Sequence, residues 1–84
     1  MSPASILVVE DDDDLRQTLA RRLSEAGYEV AMAATGPDAL AAVAESVPDL
    51  VVLDVMLPGL DGIEVCRRLR ADHPLLYILM LTAR

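Results

Sequence analysis

The fold of this chain is decided near its N-terminus by the stretch ILVVEDDDD, residues 6–14. Its first four residues are aliphatic and mostly β-branched, which predicts a short strand buried on both faces, the kind found in parallel sheets. The acidic residues follow where such a strand would end. Taken alone, this acidic run is equally well interpreted as a solvated turn in which Asp12 or Asp13 caps a helix.

The rest of the chain alternates between helical and strand patterns. Apolar residues at three- and four-residue steps predict a helix after the acidic run that stops at Gly27, a second that begins near Pro37 and ends at Pro48, and a third that begins at Asp61. Such an order, β-α-β-α-β-α-β, is typical of an α/β fold with a parallel sheet and right-handed crossovers. The expected further strands are residues 28–34, with one wetter face, residues 50–53 and residues 77–81.

The spacing of apolar residues also identifies the side of each helix that should be buried. The predicted stripes are Leu15, Leu19, Leu23 and Ala26 in the first helix, Ala39, Leu40, Val43 and Val47 in the second, and Ile63, Val65, Cys66 and Leu69 in the third.

Composition excludes several classes of function. The 84 residues carry 14 acidic and 7 basic side chains, for a net charge of −7, and every basic residue is Arg. The absence of Lys excludes a Schiff-base or phosphate-loop lysine, and an acidic chain without a basic patch is a poor nucleic-acid binder. One Cys forms no internal disulfide. The apolar runs are far shorter than a membrane span, and residues 1–5 lack a signal-peptide pattern, so we expect a cytoplasmic location without membrane contact.

Three carboxylates follow strands that are expected to be neighbours. Glu10 and Asp11 follow the first strand, and Asp54 follows the third. If these strands are adjacent, the acids meet in a crevice at the carboxyl end of the sheet, where open α/β sheets bind ligands. Clustered like charges need a counter-cation, and oxygen ligands favour Mg²⁺. Asp54 could then act as a nucleophile that forms an aspartyl-phosphate, with Thr82 donating a hydroxyl to a phosphoryl oxygen.

Three stretches of the sequence carry a family resemblance. Together, ILVVEDD (residues 6–12), LDVMLPGLDG (residues 53–62) and LTAR (residues 81–84) closely resemble the receiver domain of two-component response regulators. The resemblance covers almost the whole chain, and three motifs in the right order make it highly specific. It implies a flavodoxin-like sheet with the strand order 2-1-3-4. Its MLPG and LTAR strings are similar to those of the winged-helix transcription-factor class.

The resemblance assigns roles to particular residues. Asp54 matches the phosphoacceptor, and Thr82 matches the switch hydroxyl. For Mg²⁺, Asp11 matches the direct ligand, Glu10 the second acid, and the backbone carbonyl of Met56 the third protein ligand. The implied function is acceptance of phosphate from a sensor histidine kinase, which switches an output, such as transcription, in the full-length protein. The domain would be a regulatory phosphoacceptor and not an enzyme beyond its own phosphorylation and dephosphorylation, with DNA reached only through an output domain.

The sequence departs from the family pattern in one respect. A complete receiver continues with a fifth strand, followed by a Lys that pairs with the phosphoryl group, and has two more helices, whereas this chain contains no Lys. We therefore expect residues 1–84 to be the N-terminal two-thirds of a receiver. Its fourth strand would then be an open, uncharged sheet edge, which predicts self-association through that strand.

Two other classes of protein stay open at this point. Haloacid-dehalogenase-type phosphatases also form an aspartyl-phosphate, and Asp11-Asp12-Asp13 loosely imitates their Asp-x-Asp motif, although residues 54–59 do not belong to their pattern. A self-associating fragment without signalling activity is the other alternative. The remaining polar residues have simple interpretations: Asp61 and Glu64 as helix caps, Arg67, Arg68 and Arg70 as a solvated face, His73 as a surface residue and Cys66 as a packing residue.

Overall fold

The computed structural model describes residues 2–81, and within them the chain forms a parallel sheet with helices on both faces. The strand order is β2-β1-β3-β4, as the sequence predicts. The elements in chain order are β1 (Ser5–Val9), α1 (Asp13–Glu25), β2 (Glu29–Ala33), α2 (Gly36–Glu45), β3 (Leu50–Asp54), α3 (Gly62–Asp72) and β4 (Tyr77–Leu81).

The two central strands, β1 and β3, are buried on both faces. Residues of β1 and β3 that alternate along each strand, such as Leu7 and Leu53, pack against α2 and α3. The intervening residues, such as Val8 and Val52, pack on the other face against the α1 side chain of Leu19. This double burial is the physical reason for the unbroken aliphatic runs that predict both strands.

Helix α1 begins after the predicted N-cap residue and ends before the predicted stop glycine. The Asp12 side chain accepts a hydrogen bond from the Leu15 amide at 3.0 Å, which satisfies a donor that the first turn leaves without a helical partner. After the C-cap Ala26, Gly27 has a φ of 102°, a left-handed conformation that costs other residues more than glycine. The acidic run therefore caps a helix as well as ending a strand.

Helix α2 begins as predicted but ends earlier than Pro48. Thr35 is its N-cap, and Pro37 lies in its first turn. The C-cap Ser46 has extended backbone angles, so Val47 lies outside the helix and is 53% exposed. The expectation that Val47 belongs to the buried stripe is wrong, because a residue before proline is sterically pushed away from helical angles.

Helix α3 is capped by Asp61, whose side chain accepts from the Glu64 amide at 2.9 Å. The Glu64 carboxylate pairs with Arg67 and Arg68 on the solvent side. Val65 and Leu69 are buried as predicted, but Ile63 is 65% exposed. The prediction for Ile63 is wrong because it points away from the sheet, on the side that no other element in residues 2–81 covers.

The outer strands are less buried than the central ones. In β2, the best buried residue is Ala33, whereas Met32 on the opposite face is 45% exposed. Glu29 and Ala31, on the same face as Ala33, are exposed, and Val30 is partly buried against the core, so β2 does not divide into one wet and one dry face. In β4, Tyr77 and Leu79 are 76% and 52% exposed, because α1 lies over β1 and β2 and no helix within residues 2–81 covers this face of β4.

No helix within residues 2–81 is both long enough and apolar enough to pass through a membrane.

Candidate functional site

An acidic cluster lies at the carboxyl end of the two central strands. Glu10 directly follows β1, and Asp54 is the last residue of β3, whose Leu53 is level with Val9. Ligand oxygens of Glu10, Asp11 and Asp54 all lie within 4.8 Å of one another. The structure therefore brings together the three carboxylates that the sequence predicts to converge.

Both strand-end acids are buried although they are ionisable. Glu10 and Asp54 are each 2% exposed. Burial raises the pKa of Glu10 above its ordinary 4.5; the hydrogen bond from the Asp12 amide lowers this pKa, and the neighbouring Asp11 and Asp54 carboxyls raise it. Holding these carboxyls close together in the ionised state is unfavourable without a positive charge nearby.

The main chain around Glu10 anchors the first half of the cluster. The Glu10 amide donates to the carbonyl of Ala33 at 3.1 Å, so the residue after β1 stays attached to the β2 side of the sheet. Its Oε2 atom accepts from the Asp12 amide at 3.0 Å. The carboxylate thus folds back onto its own loop, and the position of Asp11 between these contacts is restricted.

The second half of the cluster is anchored through the residues after β3. The Met56 amide donates to Asp54 Oδ1 at 2.9 Å, and the Val55 amide donates to the Leu81 carbonyl at 3.0 Å. These contacts fix the Asp54 carboxylate and the direction of the following loop. The Met56 carbonyl as a metal ligand stays a prediction, and Thr82 lies outside the described residues.

Gly62 allows α3 to begin against the backbone of Asp54. A Cβ atom at this position would lie 2.2 Å from the Asp54 carbonyl oxygen and 2.7 Å from the Val55 Cα atom. The Gly62 amide also donates to the Val55 carbonyl at 3.1 Å. Only a residue without a side chain fits this contact, so Gly62 belongs to the support of the site, a role that its place in the motif did not reveal.

The donor set fits a hard divalent cation. All three side chains offer carboxylate oxygens, the ligands that Mg²⁺ prefers, and their oxygens are close enough to share one ion. Burial, and then the neighbouring Asp11 and Asp54 carboxyls, raise the pKa of Glu10, so the ionised form of this cluster would gain from a cation. Glu10, Asp11 and Asp54 could therefore hold Mg²⁺.

The other titratable residues that the sequence singles out lie outside this cluster. Glu64 pairs with Arg67 at 2.5 Å and with Arg68 at 2.8 Å on an exposed face, which lowers the pKa of Glu64 to about 2. His73 is the C-cap of α3, at the opposite end of the sheet. Within residues 2–81, none of these side chains belongs to the group of potential metal ligands.

One residue near the cluster was missed from the sequence. Arg16, one turn into α1, donates to the main-chain carbonyl of Glu10 and pairs with Asp13. The signal for Arg16 in the sequence was its position two residues after the acidic run, where a base is usually a solvated partner.

A parallel α/β sheet with buried carboxylates at the carboxyl ends of its central strands is the architecture expected of a receiver domain. The family model described as response regulator receiver domain matches residues 6–84. The chain therefore belongs to the response regulator receiver family, whose members act in two-component signalling.

The curated relatives are longer than this chain. It is 54% identical over 80 residues to the transcriptional regulatory protein AfsQ1 of Streptomyces coelicolor, covering 95% of this chain and 35% of that protein. It is 55% identical over 82 residues to the response regulator MprA of Mycobacterium sp. (strain KMS), covering 98% of this chain and 36% of that protein. The chain thus spans about a third of the length of these relatives.

Solved structures share the fold. The chemotaxis protein CheY4 of Vibrio cholerae aligns with a TM-score of 0.90 and 35% identity, over 93% of this chain and 67% of that one. NtrX from Brucella abortus aligns with a TM-score of 0.89 and 40% identity, over 93% of this chain and 18% of that one. The expected receiver fold is confirmed by these similarities.

Proposed function

We propose that this chain accepts a phosphoryl group from a sensor histidine kinase onto Asp54 in a Mg²⁺-dependent reaction. The observation that carries the proposal is the cluster of buried Glu10, half-buried Asp11 and buried Asp54 at the carboxyl ends of β1 and β3. In the whole protein, the phosphorylated domain would switch an output such as transcription, in the cytoplasm.

In this reaction, an Asp54 carboxylate oxygen attacks the phosphorus of a phosphorylated histidine. The P–N bond breaks, and its electron pair leaves with the imidazole, so that the product is an acyl phosphate. The Met56 amide, which donates to Asp54 Oδ1, holds the carboxylate in one orientation. Bound Mg²⁺ would offset the negative charge that the carboxylate and the phosphoryl oxygens bring together.

The roles of the remaining site residues follow from this proposal. Asp11 and Glu10 hold the cation with Asp54, and the backbone carbonyl of Met56 adds a further oxygen. Thr82 would donate its hydroxyl to a phosphoryl oxygen. The domain works as a regulatory phosphoacceptor, and residues 1–84 supply the metal and acceptor half of a receiver site.

Asp11→Asn is expected to weaken Mg²⁺ binding by about tenfold or more, because it removes a ligand charge without changing side-chain size. Isothermal titration calorimetry of the chain with MgCl₂ measures the effect. Asp14→Asn is the matched control, since Asp14 belongs to the same acidic run but lies exposed in α1 and outside the cluster. Equal Mg²⁺ affinity of the two variants would contradict the metal site.

A second proposal concerns β4, which within residues 2–81 pairs with another strand on one side only. We propose that β4 pairs with β4 of a second copy of this chain. The strand lies last in the order β2-β1-β3-β4, carries no charge, and exposes Tyr77 and Leu79. Antiparallel pairing about a twofold axis would place the two acidic clusters at opposite ends of the joined sheet, which limits their repulsion.

The chain is therefore expected to form dimers at micromolar concentration, and Leu79→Lys is expected to return it to a monomer by placing a charge beside the edge. Sedimentation velocity measures both species. Leu75→Lys is the control, because Leu75 is 91% exposed and precedes the strand. A wild-type chain that sediments as a monomer would refute this pairing.

A further inference from the structure

The Arg16 side chain is held against the main chain of Glu10 and is mostly shielded from solvent. Its side chain is 12% exposed, whereas that of its partner Asp13 is 82% exposed. The Nη1 atom donates to the main-chain carbonyl of Glu10 at 2.9 Å, and the Nη2 atom pairs with Asp13 at 2.5 Å. A buried guanidinium is costly unless its donors are used, so this arrangement indicates a specific role for the side chain.

The contact with Glu10 restrains one of the two peptide groups that flank Asp11. Arg16 binds the carbonyl of the peptide between Glu10 and Asp11. The amide of the next peptide, at Asp12, donates to Glu10 Oε2 at 3.0 Å. With the peptide planes on both sides held, the direction in which Asp11 leaves the backbone is set, and one of the two restraints comes from Arg16.

We infer that Arg16 is a positioning residue that aims the Asp11 carboxylate into the metal cluster by holding the Glu10 carbonyl. This inference rests on the proposed Mg²⁺ site. Coulomb interactions alone predict that removing the positive charge of Arg16 strengthens cation binding, because a repulsion of the cation is lost. If Arg16 positions Asp11, removing Arg16 should instead weaken cation binding.

Arg16→Met is expected to weaken Mg²⁺ binding by about 10- to 100-fold, the range typical when a group that orients a metal ligand is removed. Arg16→Lys should restore little of this affinity, since an ammonium cannot span the Glu10 carbonyl and the Asp13 carboxylate in the way that a planar guanidinium does. Arg21→Met is the matched control, because Arg21 is exposed on the same helix and its loss removes the same charge. That control should bind Mg²⁺ as tightly as the wild type or slightly more tightly.

A second control separates positioning from general loss of stability. Val43→Ala weakens the core under α2, where Val43 is fully buried, and should leave Mg²⁺ affinity unchanged. In the metal-free protein, Arg16→Met should also let the Asp12 amide exchange its hydrogen about fivefold faster, while the Val8 amide is unaffected.

The outcomes are distinguishable. Arg16→Met binding Mg²⁺ as tightly as Arg21→Met, or losing affinity only as much as Val43→Ala, would overturn the positioning role. A wild-type chain that binds no Mg²⁺ would overturn the metal site itself. In that case the hydrogen exchange rate still tests the role of Arg16. An Asp12 amide that exchanges at the wild-type rate in Arg16→Met would reject Arg16 as the restraint on this loop.

Discussion

Asp54→Asn is expected to reduce phosphorylation of the chain by acetyl phosphate to background. The substitution keeps the size of the side chain and an oxygen that can accept from the Met56 amide, but removes the carboxylate that attacks phosphorus. Intact-mass spectrometry after incubation with acetyl phosphate and Mg²⁺ measures the gain of one phosphoryl group. Chelation of the Mg²⁺ should reduce labelling of the wild type in the same way.

Asp14→Asn serves as the control for this experiment, because it removes one exposed acid from the same domain and should label like the wild type. Labelling of Asp54→Asn at the wild-type level would exclude Asp54 as the acceptor. Phosphatase turnover that survives Asp54→Asn but is lost in Asp11→Asn would instead support the haloacid-dehalogenase alternative, in which the acids after β1 carry the phosphoryl group.

Gly62→Ala is expected to destabilise the domain by about 3 kcal/mol. The added Cβ would meet the Asp54 carbonyl oxygen at 2.2 Å and the Val55 Cα at 2.7 Å, and both are backbone atoms that move only if the end of β3 or the start of α3 moves. The hydrogen bond from the Gly62 amide to the Val55 carbonyl would be lost with that movement. Urea unfolding followed by circular dichroism measures the free energy of unfolding.

Gly27→Ala is the matched control. Gly27 has a φ of 102° with no atom within 4 Å of the added Cβ, so its substitution reports backbone strain alone, about 1 kcal/mol. The helix propensity of Ala is higher than that of Gly, so propensity alone would raise the free energy of unfolding of Gly62→Ala, whereas the clash is expected to lower it. If Gly62→Ala were as stable as Gly27→Ala or more so, α3 would not depend on this close approach to β3.

Much of the fold could be predicted because its signals are local. The aliphatic runs of β1 and β3 identify strands buried on both faces, and Asp12, Thr35 and Asp61 satisfy helix N-termini within three residues of themselves. The candidate site follows from the same logic, since residues that end adjacent parallel strands must meet at one edge of the sheet. Glu10 and Asp54 could therefore be predicted as site residues from the sequence.

The burial of a side chain also depends on which helices and strands pack against each other. The spacing of apolar residues along the sequence does not give this information. Ile63 and Val47 have the spacing of core residues, yet both are more than half exposed. Ile63 lies on the exposed side of α3, and the extended backbone of Ser46 ends α2 before Val47. In the outer strand β4, the same apolar pattern that marks a buried strand belongs to a half-exposed one.

The order of the elements, the parallel sheet and the acids at the ends of its central strands can be read from the sequence, because they depend on short-range patterns of hydrophobicity and capping. Three contacts required the folded structure: the oxygens of Glu10, Asp11 and Asp54 within 4.8 Å of one another, Gly62 against the backbone of Asp54, and Arg16 on the Glu10 carbonyl. These are distances between groups on different elements or across a folded loop, and they are set by how the helices pack on the sheet.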